Sequence, residues 1–381
     1  MLRVIARLNM GGPTYQVGVL SGRHMPADRY ETLLVHGTLA PGEESMAEFA
    51  EAEGARTLFV PELVQPVRPV SDARALRRLA AIVRRFRPDV VHTHTAKAGF
   101  VGRAAAMIAT RPRPAIVHTY EGHVLEGYFG PAQSMLYRAL ERVLAHRTDR
   151  LVGVSEATVN DLVRLGVAPR ERFRVIPVGL ELDPFASLDP EPGGPLRAEL
   201  GVDADEVLVT YVGRVVPIKR IDVLVRAVAG ARQGGAPVRL AVVGDGEIRP
   251  ELERLAQRLG LGDAARFLGY RRDLPAIAAA TDVYALSSDN EGTPVSLIEG
   301  GAAGRPAAAT AVGGVPEVVS ADTGILVPRR DPGALGGALA RLAEDRELRR
   351  TLGGAARQRA IERYSASRLV TDVRNLYAEL L

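Results

Sequence analysis

Residues 291–299 read Glu291-Gly-Thr-Pro-Val-Ser-Leu-Ile-Glu299 and follow a β-rich run, residues 282–286, that predicts a strand. Thr293 is a favoured N-cap residue, and Pro294 suits the first helical position because its missing N–H leaves no donor unpaired. The stretch therefore predicts a strand, a short loop and a helix. This is the repeating unit of a parallel α/β sheet with helices on its faces.

The predicted helix start has the chemistry of an anion site between two carboxylates. The amides of Val295, Ser296 and Leu297 would point free from the helix end. Glu291 lies just outside that end, whereas Glu299 lies inside the helix on the face of Ser296. A sugar joined through a diphosphate to a ribose has hydroxyls on both sides of an anion. An ordinary capped helix with two surface glutamates is the alternative interpretation.

Short β-rich runs alternate with helical patterns along the whole chain, which predicts two parallel sheets. The first half of the chain has predicted strands at 2–8, 30–36, 56–60, 89–94, 115–119, 150–154 and 173–177. The second half has predicted strands at 206–212, 238–243, 265–268, 282–286, 306–309 and 324–327.

The length of 381 residues exceeds what one core usually supports, so two domains are expected. A Pro- and Gly-rich connector at 183–195 lies between the two series of strands. We predict a Rossmann-like domain at 1–178 on the acceptor side, a second at 179–364 on the donor side, and a C-terminal helix, 365–381, that packs back on the first domain. Two doubly wound domains of this kind would bind ligands in a cleft at the carboxyl ends of their strands.

Composition excludes several classes of protein and site. The chain has no cysteine, so disulfides, thiolate catalysis and cysteine-ligated metals are excluded. No run approaches the roughly 18 apolar residues of a membrane span, and the N-terminus predicts a strand rather than a signal peptide. We therefore expect a cytoplasmic location. Nucleic-acid binding is not expected, because aromatic residues make up only 5% of the chain.

Positive charge is concentrated between Arg68 and Arg113, which contains eleven Lys and Arg residues but only two Asp. Residues 73–87 within it form an amphipathic helical pattern with an arginine-rich polar face. Two interpretations remain open. The face could contact the anionic inner surface of a membrane, where a lipid-linked acceptor would be found, or it could be a solvated helix face.

A second cationic feature follows a predicted strand, in Tyr211-Val-Gly-Arg-Val-Val-Pro-Ile-Lys219. The strand ends at Gly213, and a helix is expected to begin near Lys219. Arg214 and Lys219 would thus lie in the loop at a strand's carboxyl end, where α/β proteins bind ligands. Two fixed cations there suit a diphosphate whose negative charge grows as it departs. Two solvated loop cations are the alternative.

In the first domain, Gly11 and Gly12 follow the first predicted strand and allow close approach of a ligand before a helix begins at Pro13. All seven histidines precede residue 147, so imidazole chemistry must come from this domain. Glu121 and His123 follow the predicted strand at 115–119, where a base, an acid or an acceptor-orienting group would be well placed.

His92 and His94 alternate on a predicted strand and should share one face. A metal site is one interpretation, but no third ligand is evident, and we favour core histidines with no metal. Lys97 and Arg103 open the helix that follows His94 and, with it, are candidates to hold an anionic acceptor.

The chain resembles the family 4 retaining glycosyltransferases, which have the GT-B fold, over nearly its whole length. The resemblance is carried by Gly213-Arg214 to Lys219, by Val243-Gly-Asp-Gly-Glu247, and by 291–299 continuing through Gly313-Gly-Val-Pro-Glu317. It implies transfer of a hexosyl group from a nucleotide sugar, most often a UDP-sugar, with retained configuration and without a metal or other cofactor. The implied acceptor is a glycan, a lipid-linked molecule or a small molecule.

The resemblance also implies roles for individual residues. Arg214 and Lys219 would hold the diphosphate, with Gly12 approaching it from the other domain. Glu299 would bind the ribose hydroxyls and Glu291 those of the donor sugar. Arg272, after Leu268-Gly-Tyr-Arg-Arg, lies where the family contacts the base.

One departure from the family concerns the group nearest the reacting carbon. Many relatives have Thr-aromatic-His after the fifth strand, whereas here Thr119-Tyr120 is followed by Glu121, and the histidine comes two residues later as His123. Either residue could take that role. Three other functions remain open, namely a GT-B epimerase, a phosphorylase with pyridoxal phosphate, and a nucleotide-sugar-binding subunit without activity.

Overall fold

The chain forms two compact units in a computed structural model that describes residues 1–9, 11–26, 28–40, 42–122 and 130–381. One unit comprises Met1–Leu180 together with Tyr364–Leu381, and the other comprises Glu181–Arg363. The last helix of the chain therefore belongs with the first sheet.

The first unit is built on a parallel sheet of seven strands in the described residues, in the order β3-β2-β1-β4-β5-β6-β7. The strands are short and mostly buried, as expected when helices cover both faces of a parallel sheet. Their bounds are β1 (Leu2–Ile5), β2 (Leu33–His36), β3 (Thr57–Phe59), β4 (Val90–His94), β5 (Ala115–Tyr120), β6 (Arg150–Gly153) and β7 (Phe173–Val175).

Helices connect these strands and supply the core. The predicted amphipathic helix at 73–87 is present as α3 (Pro69–Phe86), which buries Leu79 and Val83 and exposes its arginines. The last helix, α16 (Ala366–Ala378), buries Leu369 and Val373 in a cluster with Val117 of β5. The other helices of this unit are α1 (Gly12–Ser21), α2 (Ala47–Ala52), α4 (Ala96–Ala109), α5 (Pro131–His146) and α6 (Glu156–Arg164).

The second unit has a six-stranded parallel sheet in the order β10-β9-β8-β11-β12-β13. Its strands are β8 (Val207–Val212), β9 (Val238–Val243), β10 (Ala265–Gly269), β11 (Val283–Leu286), β12 (Ala307–Thr310) and β13 (Gly324–Val327). Its helices are α7 (Asp183–Ala186), α8 (Pro195–Glu199), α9 (Ile221–Gln233), α10 (Arg249–Arg258), α11 (Leu274–Ala280), α12 (Val295–Ala302), α13 (Val315–Val318), α14 (Pro332–Glu344) and α15 (Arg346–Tyr364).

Both sheets are doubly wound, which confirms the predicted α/β class. In each sheet the strand order reverses once, between β1 and β4 in the first unit and between β8 and β11 in the second. The crevice outside the carboxyl ends of the strands at such a reversal is the usual ligand site of open α/β sheets. Among the described residues, none of the helices combines the length and apolarity that crossing a bilayer requires.

Candidate active site

The loops after β8 and β11 flank the reversal point of the second sheet, and they carry the residues that the sequence singled out. The loop after β8 contains Arg214 and ends in a 3₁₀ turn, Pro217–Lys219, before α9 begins at Ile221. The loop after β11 contains Glu291 and leads into α12. The fold of this unit thus places Lys219 and Glu291 at one edge of one sheet.

Lys219 and Glu291 form a well-enclosed ion pair. The Nζ atom of Lys219 lies 2.6 Å from Oε1 of Glu291, and the side chains are 18% and 8% exposed. Ser288 donates a hydrogen bond from its Oγ atom to the same carboxylate oxygen at 2.6 Å. Both bonds reach Oε1, so among the described residues Oε2 of Glu291 is left for another donor.

Backbone packing fixes the position of Glu291. Gly313 adopts a φ of +49°, and a Cβ atom there would lie 1.9 Å from the carbonyl oxygen of Glu291. The N–H of Gly314 donates to that same oxygen at 3.2 Å. Ser287 holds the facing loop by donating from its hydroxyl to the carbonyls of Lys219 and Arg220. Both partners of the ion pair are therefore held by their backbones.

The start of α12 differs from the sequence prediction by one residue. Pro294 occupies the N-cap position and Val295 is the first helical residue, so the prediction that Thr293 caps the helix is wrong. The amide of Leu297 is also not free, because it donates to the carbonyl of Pro294 at 3.1 Å. The first-turn amides of Val295 and Ser296 remain as donors at the start of α12.

Glu299 lies one turn further along α12 and is partly buried. Burial raises the pKa of its carboxyl to about 8. Burial, together with the charge of Glu299, raises the pKa of Tyr284 well above its usual range. A carboxyl in this state is suited to exchange hydrogen bonds with neutral hydroxyls.

The two predicted arginines of this unit are exposed. Arg214 accepts a hydrogen bond at its backbone carbonyl from the Tyr211 hydroxyl, at 2.9 Å, while its side chain reaches solvent. Arg272 is also exposed, next to Arg271, which pairs with Asp273. Both guanidinium groups are accessible to a ligand.

In the first unit, Glu121 follows β5 directly and lies in an enclosed polar group. Its Oε1 atom is 3.0 Å from Nδ1 of His94, the last residue of β4. With the Gln16 side-chain amide of α1 turned so that its nitrogen faces the carboxyl, this nitrogen donates to both oxygens of Glu121, at 3.0 and 3.2 Å. Burial raises the pKa of Glu121 to about 8 and holds the pKa of His94 well below its usual range. The pair is therefore neutral at neutral pH.

His92 and His94 share one face of β4 as predicted, with ring centroids 4.3 Å apart. The ring nitrogens of His92 contact the hydroxyls of Thr119 at 2.7 Å and Tyr377 at 2.6 Å. Arg3 contacts both Tyr377 and His92. Burial keeps the pKa of His92 well below its usual range. His92 is thus a hydrogen-bonded core residue that links β4 to α16.

The acceptor-side candidates Lys97 and Arg103 both have partners within the first unit. Lys97 lies 2.6 Å from Oδ1 of Asp72 and donates to the carbonyl of Pro66. Arg103 is fully buried and pairs with Glu141 at 2.8 Å. Arg103 therefore acts as an internal ion-pair partner, and the structure gives no support for contact between it and an acceptor.

The remaining candidates of the first unit are Gly12 and His123. Gly12 is the first residue of α1, one position before the predicted start at Pro13, and Gly11 precedes it with a φ of +152°. His123 lies outside the described residues. Of the two candidates that follow β5, Glu121 and His123, only the surroundings of Glu121 are described.

Two contributors to the site were missed by the sequence analysis. Ser288 holds the carboxylate of Glu291, and Gln16 holds that of Glu121. Ser288 could have been suspected because it follows β11 almost directly, in the polar run Ser287-Ser-Asp-Asn290. Gln16 carried a weaker signal, namely its place one helical turn after Gly12.

Comparison with known proteins gives matches over both units. Residues 21–184 match a family model described as Glycosyltransferase Family 4, and residues 195–359 match one described as Glycosyl transferases group 1. D-inositol 3-phosphate glycosyltransferase of Saccharomonospora viridis is 34% identical over 77% of this chain and 70% of its own length.

A second relative is the UDP-Gal:alpha-D-GlcNAc-diphosphoundecaprenol alpha-1,3-galactosyltransferase of Escherichia coli, which is 27% identical over 86% of this chain and 85% of its own length. Among solved structures, Anabaena HepE in complex with UDP has a TM-score of 0.82 at 22% identity and covers 99% of both chains. This likeness over the whole chain confirms the predicted GT-B fold class.

Proposed function

We propose that this chain, which belongs to the family 4 glycosyltransferases, transfers a hexosyl group from a UDP-sugar with retention of anomeric configuration. The observation that carries this proposal is the Lys219–Glu291 pair at the reversal point of the second sheet. It combines a cation for a leaving diphosphate with a carboxylate for sugar hydroxyls at one place.

Binding of the donor would reorganise this pair. A diphosphate brings more negative charge than one carboxylate, so Lys219 would turn toward it together with the exposed Arg214. The first-turn amides of α12 would donate hydrogen bonds to the same anion. Glu291, still held by Ser288, would then accept hydrogen bonds from the donor sugar. Glu299 would bind the ribose, and Arg272 would contact the base.

The chemical step would depend on leaving-group stabilisation. The bond between the anomeric carbon and the diphosphate oxygen breaks, and the acceptor oxygen bonds to that carbon on the same face. The acceptor proton passes to the departing diphosphate oxygen. Arg214 and Lys219 stabilise the charge that develops on the diphosphate, an effect that preorganised cations make large in an enclosed site. The step requires no metal.

We assign the acceptor side to the first unit, with Glu121 as the group that orients the acceptor hydroxyl. His94 and Gln16 hold Glu121, and its raised pKa keeps it as a neutral carboxyl at neutral pH. A neutral carboxyl can both donate to and accept from a hydroxyl.

For the acceptor we propose a phosphorylated or diphosphate-linked molecule. The names of two relatives specify such acceptors, inositol 3-phosphate in one and a diphosphoundecaprenol lipid in the other. Exposed arginines of α3 give the first unit an excess of positive charge that suits this class.

The test is to incubate the purified chain with UDP-glucose, UDP-galactose and UDP-N-acetylglucosamine, with and without diphosphate-linked acceptors. We expect acceptor-dependent release of UDP from one donor and a product with the donor's anomeric configuration by NMR. Conversion of the donor without acceptor would instead identify an epimerase. Binding of UDP with no turnover of any sugar would identify a subunit without activity.

A further inference from the structure

Helix α5 of the first unit has its apolar side facing solvent. Met135, Leu136, Leu140 and Val143 are 69%, 56%, 37% and 65% exposed. Ala139, which lies between them on the same side, is exposed as well. Their spacing places all five within an arc of about 140° around the helix. Single exposed apolar residues are common on protein surfaces, but a continuous stripe marks an interaction site.

The opposite side of α5 carries the polar contacts. Glu141 pairs there with the buried Arg103 of α4, and the hydroxyl of Tyr120 donates to the same carboxylate. Ser134 and Leu144 are buried on this side. The inward ion pair fixes the rotation of the helix, so the aliphatic stripe cannot turn into the core without leaving Arg103 unpaired, which is costly for a buried charge.

The charges around the stripe are positive. Arg142 and Arg147 are exposed at its border, and Glu141, the one acidic residue of α5, is turned inward. Helix α4 contacts both α5 and α3. The exposed arginines of α3 therefore belong to the same layer of helices, and they are Arg74, Arg77, Arg78, Arg84 and Arg85.

From this arrangement we propose that α5 is a membrane-docking helix that lies in the headgroup region of an anionic bilayer. Its 16 residues span about 24 Å, long enough to lie in the membrane plane with one stripe buried among acyl chains. Arg142, Arg147 and the arginines of α3 would contact lipid phosphates. The sequence pointed to α3 alone as a membrane surface, whereas the structure assigns the apolar anchor to α5.

A second copy of the chain is a less suitable occupant of this face. A twofold contact brings the same patch of both copies together. It would therefore oppose the Arg142 and Arg147 side chains of one copy to those of the other, with no exposed carboxylate on α5 to compensate. Lipid phosphates supply the missing negative charge.

The experiment is sedimentation of the full chain with phosphatidylcholine vesicles that either contain or lack phosphatidylglycerol. We expect the chain to sediment with the anionic vesicles, and less at high salt because exposed charges are screened. The double variant Leu136→Glu/Val143→Glu should lower the partition coefficient about tenfold or more, since each aliphatic side chain contributes to insertion.

A matched control is Ile361→Glu, which changes a 40% exposed apolar residue on a helix of the second unit and should leave sedimentation unchanged. The milder Leu136→Ser/Val143→Ser variant should act in the same direction and guards against a folding defect. Turnover of donor with a water-soluble acceptor should be equal in all variants, so vesicle binding is measured independently of the proposed enzymatic function.

Two results would overturn the proposal. One is that the chain fails to sediment with anionic vesicles. The other is that the wild-type chain is a dimer in solution that the double variant converts to a monomer, which would assign the stripe to self-association.

Discussion

Glu291 and Glu121 occupy comparable positions in the two units yet differ in chemical state. Each follows a strand of a parallel sheet and is largely enclosed, with side chains 8% and 9% exposed. Glu291 faces the ammonium group of Lys219, whereas Glu121 faces His94 and Gln16, neither of which brings a positive charge. One is therefore an ion-paired carboxylate, and the other is a carboxyl whose pKa burial raises to about 8.

The comparison shows that topology and charge state have separate causes. A doubly wound sheet places polar residues at the carboxyl ends of its strands. The neighbouring side chains then decide whether such a residue is charged, because burial disfavours a carboxylate unless a cation compensates it. A charged group suits the donor's sugar and diphosphate, and a neutral one suits the orientation of a hydroxyl.

The largest effect on kcat is expected from Lys219→Ala, which removes the cation from the Lys219–Glu291 ion pair. Loss of one preorganised contact to a developing charge lowers kcat by about 100- to 1000-fold. The measurement is UDP release from the donor, with Arg341→Ala, an exposed residue of α14, as the control. Lys219→Ala also leaves the Glu291 carboxylate without its cation. Glu291→Gln should therefore lower kcat less in the Lys219→Ala background than it does in the wild type. Full additivity would show that the two side chains act separately.

The neutral carboxyl of Glu121 predicts that the stability of the protein depends on pH. The pKa of Glu121 rises from 4.5 to about 8 on folding. The folded state thus binds the proton more tightly than the unfolded state, which stabilises the fold. This gain in unfolding free energy is complete below pH 4.5 and is lost as pH rises to about 8. Relative to Glu121→Gln, the wild type should lose about 2–4 kcal/mol of unfolding free energy between pH 5 and pH 8.

Urea unfolding of both chains across this range measures the difference. Glu44→Gln, a change at an exposed glutamate, is the control and should show no such trend. A difference between wild type and Glu121→Gln that stays constant with pH would mean that Glu121 is ionised in the folded protein, like Glu291.

The smallest effect is expected from Ser288→Ala. This change removes one hydrogen bond to Glu291 but leaves the Lys219 ion pair. A single hydrogen bond of this kind is worth about 1 kcal/mol, so kcat should fall about fivefold. Ser320→Ala, which removes a serine bonded to Thr323 in the same unit, should leave kcat unchanged. If the two serine variants behave alike, Ser288 does not position Glu291.

The strands and the polar residues at their ends could be predicted because they depend on local pattern. Each predicted strand of the first unit is present, although the first, predicted at 2–8, ends at Ile5. The proximity of Lys219 and Glu291 could be predicted because the carboxyl ends of parallel strands lie at the same edge of a sheet. The local sequence does not predict that Arg103 lies inside the fold, because its burial depends on Glu141 in another helix.

Details that depend on tertiary contacts could not be predicted. Thr293 has the sequence signature of a cap, but packing of Gly313 and Gly314 against Glu291 and Gly292 sets the loop and moves the cap to Pro294. The contact between Gln16 and Glu121 joins residues that lie far apart in the chain.

The most direct test of the account compares the dissociation constants of UDP and UMP by calorimetry, in the wild type and in Arg214→Ala/Lys219→Ala. UMP lacks the second phosphate, which is the group assigned to these two cations. We predict that UDP binds the wild type at least about tenfold more tightly than UMP, as expected for charge-assisted hydrogen bonds, and that the double variant binds both nucleotides equally. A preference for UDP that survives in the double variant would contradict the assignment of the diphosphate to Arg214 and Lys219.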